Sequence, residues 1–287
     1  MKITKLHTQI VRLPAQEPLA GGPVAPGATR DIVTLRMMTD QGLEGVGLTY
    51  YGGFYGSPMT ATLQSMLDQL GTLIIGADPL SIEAVLAKVR TVEDKVGPGG
   101  IYASALAAID LALWDIKGKV ANLPLAKLVG GHRGHAPTYA SGALMRSYSL
   151  AHVSEAAPRL AEKGFRQMKM QLALPENGRP AVEVQRARAI RSAIGPDIDL
   201  MCDINQRWSV HQAIDIGRRL EDVNLYWLED VTRHDDYDGI ARVADALSTP
   251  IAGGEYTFGP TPFKHMLEAG SLDIVMIDLM RVGGITP

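Results

Sequence analysis

DLMCDIN, residues 199–205, decides how the chain is read. It is an almost unbroken apolar run that closes on an acid, Asp203, with Asn205 two positions on. Three later stretches repeat the arrangement: LYWLED (225–230) closes on Glu229, PIAGGE (250–255) on Glu255, and DIVMIDL (273–279) on Asp278. Apolar runs without alternation mark strands covered on both faces, as in a parallel sheet wrapped by helices. The intervening segments 209–221, 236–247 and 261–269 have helical periodicity. Ser209 and Gln212 carry the spacing of a capping box at one helix start.

Working towards the N-terminus, YASGAL (139–144) precedes a helical stretch at 151–163, and QMKMQL (167–172) precedes another at 179–194. The candidate strand ends are therefore Leu144, Gln171, Asp203, Glu229, Glu255 and Asp278, the last four 26, 26 and 23 residues apart. One βα unit per step, with no glycine-rich phosphate loop after the first strand, predicts a modified TIM-type (β/α) barrel rather than a doubly wound sheet. Residues 137–287 hold six such strands, whereas closure takes eight. The expectation is a barrel domain truncated after strand six.

Residues 1–136 have a different texture. Residues 2–13 alternate, and DIVTLRMM (31–38) continues through a turn at Asp40–Gly42 into a further strand. Helical patterns follow at 59–74, 81–94 and 101–120. This predicts an α+β capping domain. Its two Gly-rich loops, 19–30 and 50–58, are candidates to cover a substrate. Tyr50, Tyr51, Phe54 and Tyr55 lie in the second.

Composition removes several classes. The 287 residues carry a formal charge of −3 and no polybasic stripe, which argues against nucleic acid. No run of about 18 apolar residues exists to span a bilayer. The single cysteine, Cys202, rules out an intrachain disulfide and fits a reducing cytoplasm.

The acids carry the chemistry. The C-terminal ends of barrel strands form one rim, where active sites lie. Asp203, Glu229 and Glu255 on that rim would repel one another unless a cation neutralised them. An all-oxygen set without Cys or His selects a hard divalent ion, Mg²⁺ first. The alternative is that such acids cap the helices that follow. Asp230 points away from Glu229 by strand alternation and is expected to be structural. Asp273 begins its strand and is expected on the opposite face.

With these residues in place, the chain resembles the enolase superfamily, mandelate racemase subgroup. Lys169, Asp203, Glu229, Glu255 and Asp278 on successive strands carry the resemblance. So do AAIDLALWDIKGKVANLPLAKLVGG (107–131), DINQRW (203–208), WLED (227–230) and RVGG (281–284). It implies a site between cap and barrel, Mg²⁺ on Asp203, Glu229 and Glu255, removal of the proton α to a carboxylate, and a homo-oligomer. It implies that Asp278 orients a histidine on the next strand. None of His7, His132, His135, His152, His211, His234 and His265 ends a barrel strand, so that histidine is expected beyond residue 287.

The family commonly places Lys-x-Lys where this chain has Lys169-Met-Gln171. Lys169 remains as a cation beside a metal-bound carboxylate. Gln171 cannot take a proton. Racemisation wants a base on each face of the substrate, whereas dehydration needs only one. The expected function is dehydration of a sugar acid to a 2-keto-3-deoxy acid, with racemase or epimerase second. A relative that binds metal and ligand without turnover is a third possibility. Ser141, Gln171, Asn205, Tyr50 and Tyr51 are the candidate substrate contacts.

Overall fold

The structure is a computed structural model that describes residues 1–14, 29–50, 59–174 and 179–287. Tyr51, Phe54, Tyr55 and most of loops 19–30 and 50–58 fall outside the described residues. The chain begins with three antiparallel strands in the order β1 (Ile3–Pro14), β2 (Thr29–Thr39) and β3 (Glu44–Thr49). The expected turn joins β2 to β3: the Thr39 and Gly42 amides donate to Leu43 O and Thr39 O. Gly42 there takes φ +76°, which glycine adopts at little cost.

One face of β2, Val33, Leu35 and Met37, is fully buried. Helices cover this sheet: α1 (Thr60–Thr72) and, after α2 (Ile82–Arg90) and the short α3 (Glu93–Val96), α4 (Gly100–Ala121); α2 and the short α5 (Leu125–Leu128) pack on α4. α4 is buried along most of its length, and its alanines let β3 come very close. A Cβ on Gly45 or Gly47 would run into the carbonyl oxygens of Ala112 and Ala108. This approach is why EGVGL alternates glycine with apolar residues.

The second half alternates strand and helix: β4 (Ala140–Leu144), α6 (Leu150–Glu162), β5 (Gln167–Gln171), α7 (Pro180–Ile194), β6 (Asp199–Asp203), α8 (Val210–Arg219), β7 (Leu228–Glu229), α9 (Tyr237–Ala246), β8 (Ile251–Gly253), α10 (Thr261–Glu268), β9 (Ile274–Val275) and α11 (Leu279–Val282). The capping box at Ser209 and Gln212 is formed. The six strands are parallel and lie in chain order, β4 to β9. A doubly wound sheet would reverse order at a switch point. This one does not, and it is an arc of a modified TIM-type barrel. One apolar cluster joins residues between Ile3 and Ile116, and a second joins residues between Ala140 and Ile251. No helix among the described residues is long and apolar enough to cross a membrane.

The last three strands are shorter than the apolar runs suggest. The run 225–230 contributes only Leu228–Glu229, and 273–279 only Ile274–Val275. The register is the cause: Asp203 pairs with Glu229, and Glu229 pairs with Ala252, not with Glu255. Glu255 sits two residues beyond β8, and Asp278 three residues beyond β9. Asp278 does not end a strand. It caps α11, its Oδ1 accepting from the Met280 and Arg281 amides.

Candidate active site

β5 sorts its side chains by alternation. Met168 and Met170 enter the outer apolar cluster beneath the helices. Lys169 points to the other face, where Met201, Trp227 and Ala252 form a small inner cluster with Tyr139 beside it. Its ammonium donates to Glu229 Oε1 at 2.6 Å and lies 3.7 Å from Asp203 Oδ2. It also sits 5.5 Å from the centre of the Tyr139 ring. Burial works against this charge, but Glu229 and Asp203 outweigh it and raise the Lys169 pKa. The ammonium stays protonated.

Glu229 is fully buried. Its second oxygen, Oε2, accepts from the Trp227 indole at 2.9 Å, so the carboxylate is held on both sides. Trp227 in turn packs edge-on against Tyr139. Burial raises the Glu229 carboxyl, even with Lys169 alongside.

Asp203 is gripped by the turn that follows it. Asn205 donates from its backbone N–H to Oδ1 and from its side chain to Oδ2, each at 2.8 Å. Asn205 and Gln206 are both left-handed, at φ +48° and +64°. Gln171 is level with Asp203 in the sheet. Its amide nitrogen donates to Asn205 Oδ1 at 3.3 Å, while its carbonyl oxygen accepts from the Arg146 amide.

The expectation for Asp230 is overturned. Strand alternation ends at Glu229, and Asp230 takes φ +47°. That twist brings its carboxylate round: oxygens of Asp203, Glu229 and Asp230 lie within 4.8 Å of one another, all three residues buried. Asp230 Oδ2 is buried and has no hydrogen-bond partner among the described residues. Burial, with Glu255, Glu229 and Asp203 close by, pushes this carboxyl up to about 8. Glu255, carried on the turn at Gly254, is raised chiefly by burial, with Asp203 and Asp278 adding to the shift. Asp203, Glu229 and Asp230 form the floor of the site, and Glu255 follows on the turn beyond β8.

Asp278 joins the cap to this rim. Tyr50, just after β3, donates its hydroxyl to Asp278 Oδ2 at 2.9 Å. Burial first, then Asp278, push the Tyr50 phenol up to about 12. A second tie lies farther along: the buried Asp110 of α4 accepts from the Ile285 amide at 2.6 Å and from Thr286. Ser141, by contrast, is exposed near the start of β4 and contacts none of these groups among the described residues.

Several site residues escape a reading by periodicity. Arg146 follows β4 and bonds to Asn205. Tyr256 accepts from Asn205 at 3.3 Å, and Arg281 stacks 4.7 Å from the Tyr256 ring. His234 bonds Gln206 through its backbone and ring at 2.9 and 2.8 Å. Their one common signal is position within a few residues of a strand end. The donors gathered here are carboxylate oxygens, with a lone pair on Asp230 left unused and no soft ligand among them. This set suits a hard divalent cation.

Residues 9–130 match the mandelate racemase / muconate lactonizing enzyme N-terminal domain, and residues 152–287 match the enolase C-terminal domain-like family. The chain is 33% identical over 291 residues to an L-talarate/galactarate dehydratase of Salmonella typhimurium, covering all of this chain and 71% of the relative. It is 33% identical over 290 residues to a 3,6-anhydro-alpha-L-galactonate cycloisomerase of Streptomyces coelicolor, covering 99% of this chain and 77% of the relative. A crystal structure of a racemase from Streptomyces coelicolor with bound magnesium superposes with a TM-score of 0.88 at 33% identity, covering 98% of this chain and 77% of that one. The barrel arc, its acidic rim and these matches agree: the chain belongs to the mandelate racemase / muconate lactonizing enzyme family of the enolase superfamily.

Proposed function

We propose that this protein removes the proton α to the carboxylate of a sugar acid and expels the β-hydroxyl as water, giving a 2-keto-3-deoxy acid. The observation that carries the choice of reaction is Gln171. It stands one strand from Asp203 and level with it, where a second lysine would supply a base for the opposite substrate face. Its amide is not basic and is already bonded to Asn205 and Arg146.

Mg²⁺ is proposed to be held by Asp203, Glu229 and Glu255, with Asp230 close enough to add a fourth carboxylate, and would stabilise negative charge developing on the substrate carboxylate. Lys169 supplies a fixed positive charge on the same side, preorganised by its bond to Glu229. Loss of the α-proton leaves an enediolate, and departure of the β-hydroxyl with a proton leaves an enol. That enol then becomes the keto acid. Asp278 is assigned to orienting the proton-transferring group. Tyr50 holds the Asp278 carboxylate from the cap side and stands where substrate hydroxyls would arrive. Asn205 and Gln171 are assigned to substrate oxygens.

Racemisation or epimerisation is the second reading, since relatives of equal identity include a racemase and a cycloisomerase. One experiment separates them. The protein is incubated with Mg²⁺ and a panel of acid sugars in D₂O. Keto-acid formation supports dehydration. α-Deuterium incorporation without loss of water refutes it in favour of epimerisation. No reaction across a broad panel leaves a binding protein. Glu229→Gln should abolish turnover, and full activity in that variant would sink the site assignment.

A further inference from the structure

Arg146 is a cation that neither the acid cluster nor strand periodicity accounts for. It lies two residues beyond β4 and is 8% exposed, an expensive place for a guanidinium. Burial lowers its pKa, with Arg207 nearby adding to the effect. No carboxylate pairs with it among the described residues. It donates instead to three oxygens of the next loop but one: Ile204 O at 3.3 Å, Asp203 O at 3.3 Å, and the side-chain Oδ1 of Asn205. Its Nε is buried and has no partner among the described residues. All the bonding of its guanidinium therefore serves the turn after β6.

That turn needs holding. Asn205 and Gln206 are consecutive non-glycine residues with left-handed φ, a conformation that persists only where the surroundings enforce it. The Gln206 amide is tied to Asp230 O at 2.8 Å, and Asn205 is tied by Arg146. Guanidinium has donors and no acceptor. It forces Asn205 to present its oxygen to Arg146 and Gln171 and its NH₂ to Asp203 Oδ2 and Tyr256. The flipped amide would set NH₂ against guanidinium and oxygen against carboxylate.

We propose that Arg146 is a positioning residue for the metal site: its fork on Asn205 and on the 203–204 carbonyls sets the amide orientation that aims the Asp203 carboxylate. The proposal rests on the metal-binding reading above and extends it to a residue outside the acid cluster. Residues that orient a ligand from behind commonly cost 10- to 100-fold in metal affinity when removed.

The test uses the whole chain, with Arg146→Met and Arg146→Lys alone and with Asn205→Ala. Mg²⁺ affinity is read by calorimetry, and the Asn205 side-chain amide by ¹⁵N NMR, assigned by its loss in Asn205→Asp. Cooperative unfolding confirms that each variant is folded; if Arg146→Met fails that check, Arg146→Lys carries both readouts. The expected result is at least tenfold weaker Mg²⁺ binding in Arg146→Met. The Asn205 amide peaks should shift or broaden without metal, and there should be little further loss of affinity in the Asn205→Ala background. An unmoved Asn205 amide overturns the proposal, as does Mg²⁺ affinity within twofold of wild type. Additive losses in the double variant overturn it too, because Arg146 would then act independently of Asn205. A wild-type chain that binds no Mg²⁺ refutes the metal reading, and the metal-free amide signal still decides the clamp.

Discussion

Asp230→Asn tests the electrostatics of the acid floor. Asp230 is 6% exposed, has an oxygen with no donor among the described residues, and faces Glu229 and Asp203. Its carboxyl is pushed from an ordinary 3.8 to about 8. A carboxyl raised on folding makes the native state bind the proton that the unfolded chain releases. Stability therefore falls as pH rises from 3.8 towards 8 and is level outside that window. From this shift the metal-free protein loses about 2 kcal/mol by pH 5 and about 4 kcal/mol by pH 7. Asparagine keeps the shape, tolerates the φ of +47°, and cannot ionise. Urea denaturation in EDTA should show Asp230→Asn gaining about 2–3 kcal/mol on wild type between pH 5 and pH 7. Saturating Mg²⁺ should stabilise wild type most at the higher pH. A variant that tracks wild type within about 0.5 kcal/mol at both pH values would refute the reasoning, because the carboxyl would then be solvated rather than trapped.

Lys169→Met leaves Glu229 and Asp203 without their shared ammonium. Breaking a buried pair from one side costs about 3–5 kcal/mol, to be read by denaturation in EDTA, and turnover should vanish. Tyr50→Phe removes the hydroxyl that bonds Asp278; kcat/KM should fall by about tenfold for a lost bond of about 1.5 kcal/mol to a charged group, with little change in Mg²⁺ affinity by calorimetry. Gly47→Ala forces a methyl into the Ala108 carbonyl of α4. Thermal unfolding should show a loss of several kcal/mol, on the order of the largest single-residue effects, although the site is remote.

The barrel class was legible because it rests on local features. Near-continuous apolar runs spaced by amphipathic helices admit few architectures, and the sheet order β4 to β9 follows that pattern without reversal. Lys169 was legible for the same reason: alternation on β5 places Met168 and Met170 under the helices and leaves the ammonium on the inner face. Asp203 and Glu229 were legible as paired ends of neighbouring strands.

Alternation fails where the strand stops. Asp230 was expected to point away, yet one left-handed residue turns it back to the floor, and nothing in a hydrophobic period encodes that dihedral. Sequence spacing read Glu255 as a strand end next to Glu229. Register, set by contacts between strands, places Ala252 there instead and lifts Glu255 onto the following turn. Arg146 and Tyr50 come from a loop and from the other half of the chain, and they reach the rim only after folding. The sequence by itself determined which strands exist, which faces they bury and which acids collect at one end, because side-chain direction within a strand is a local property. Only the tertiary structure decided which of those acids share a floor and what aims them, because turn dihedrals, register and long-range hydrogen bonds are settled between elements and not within them.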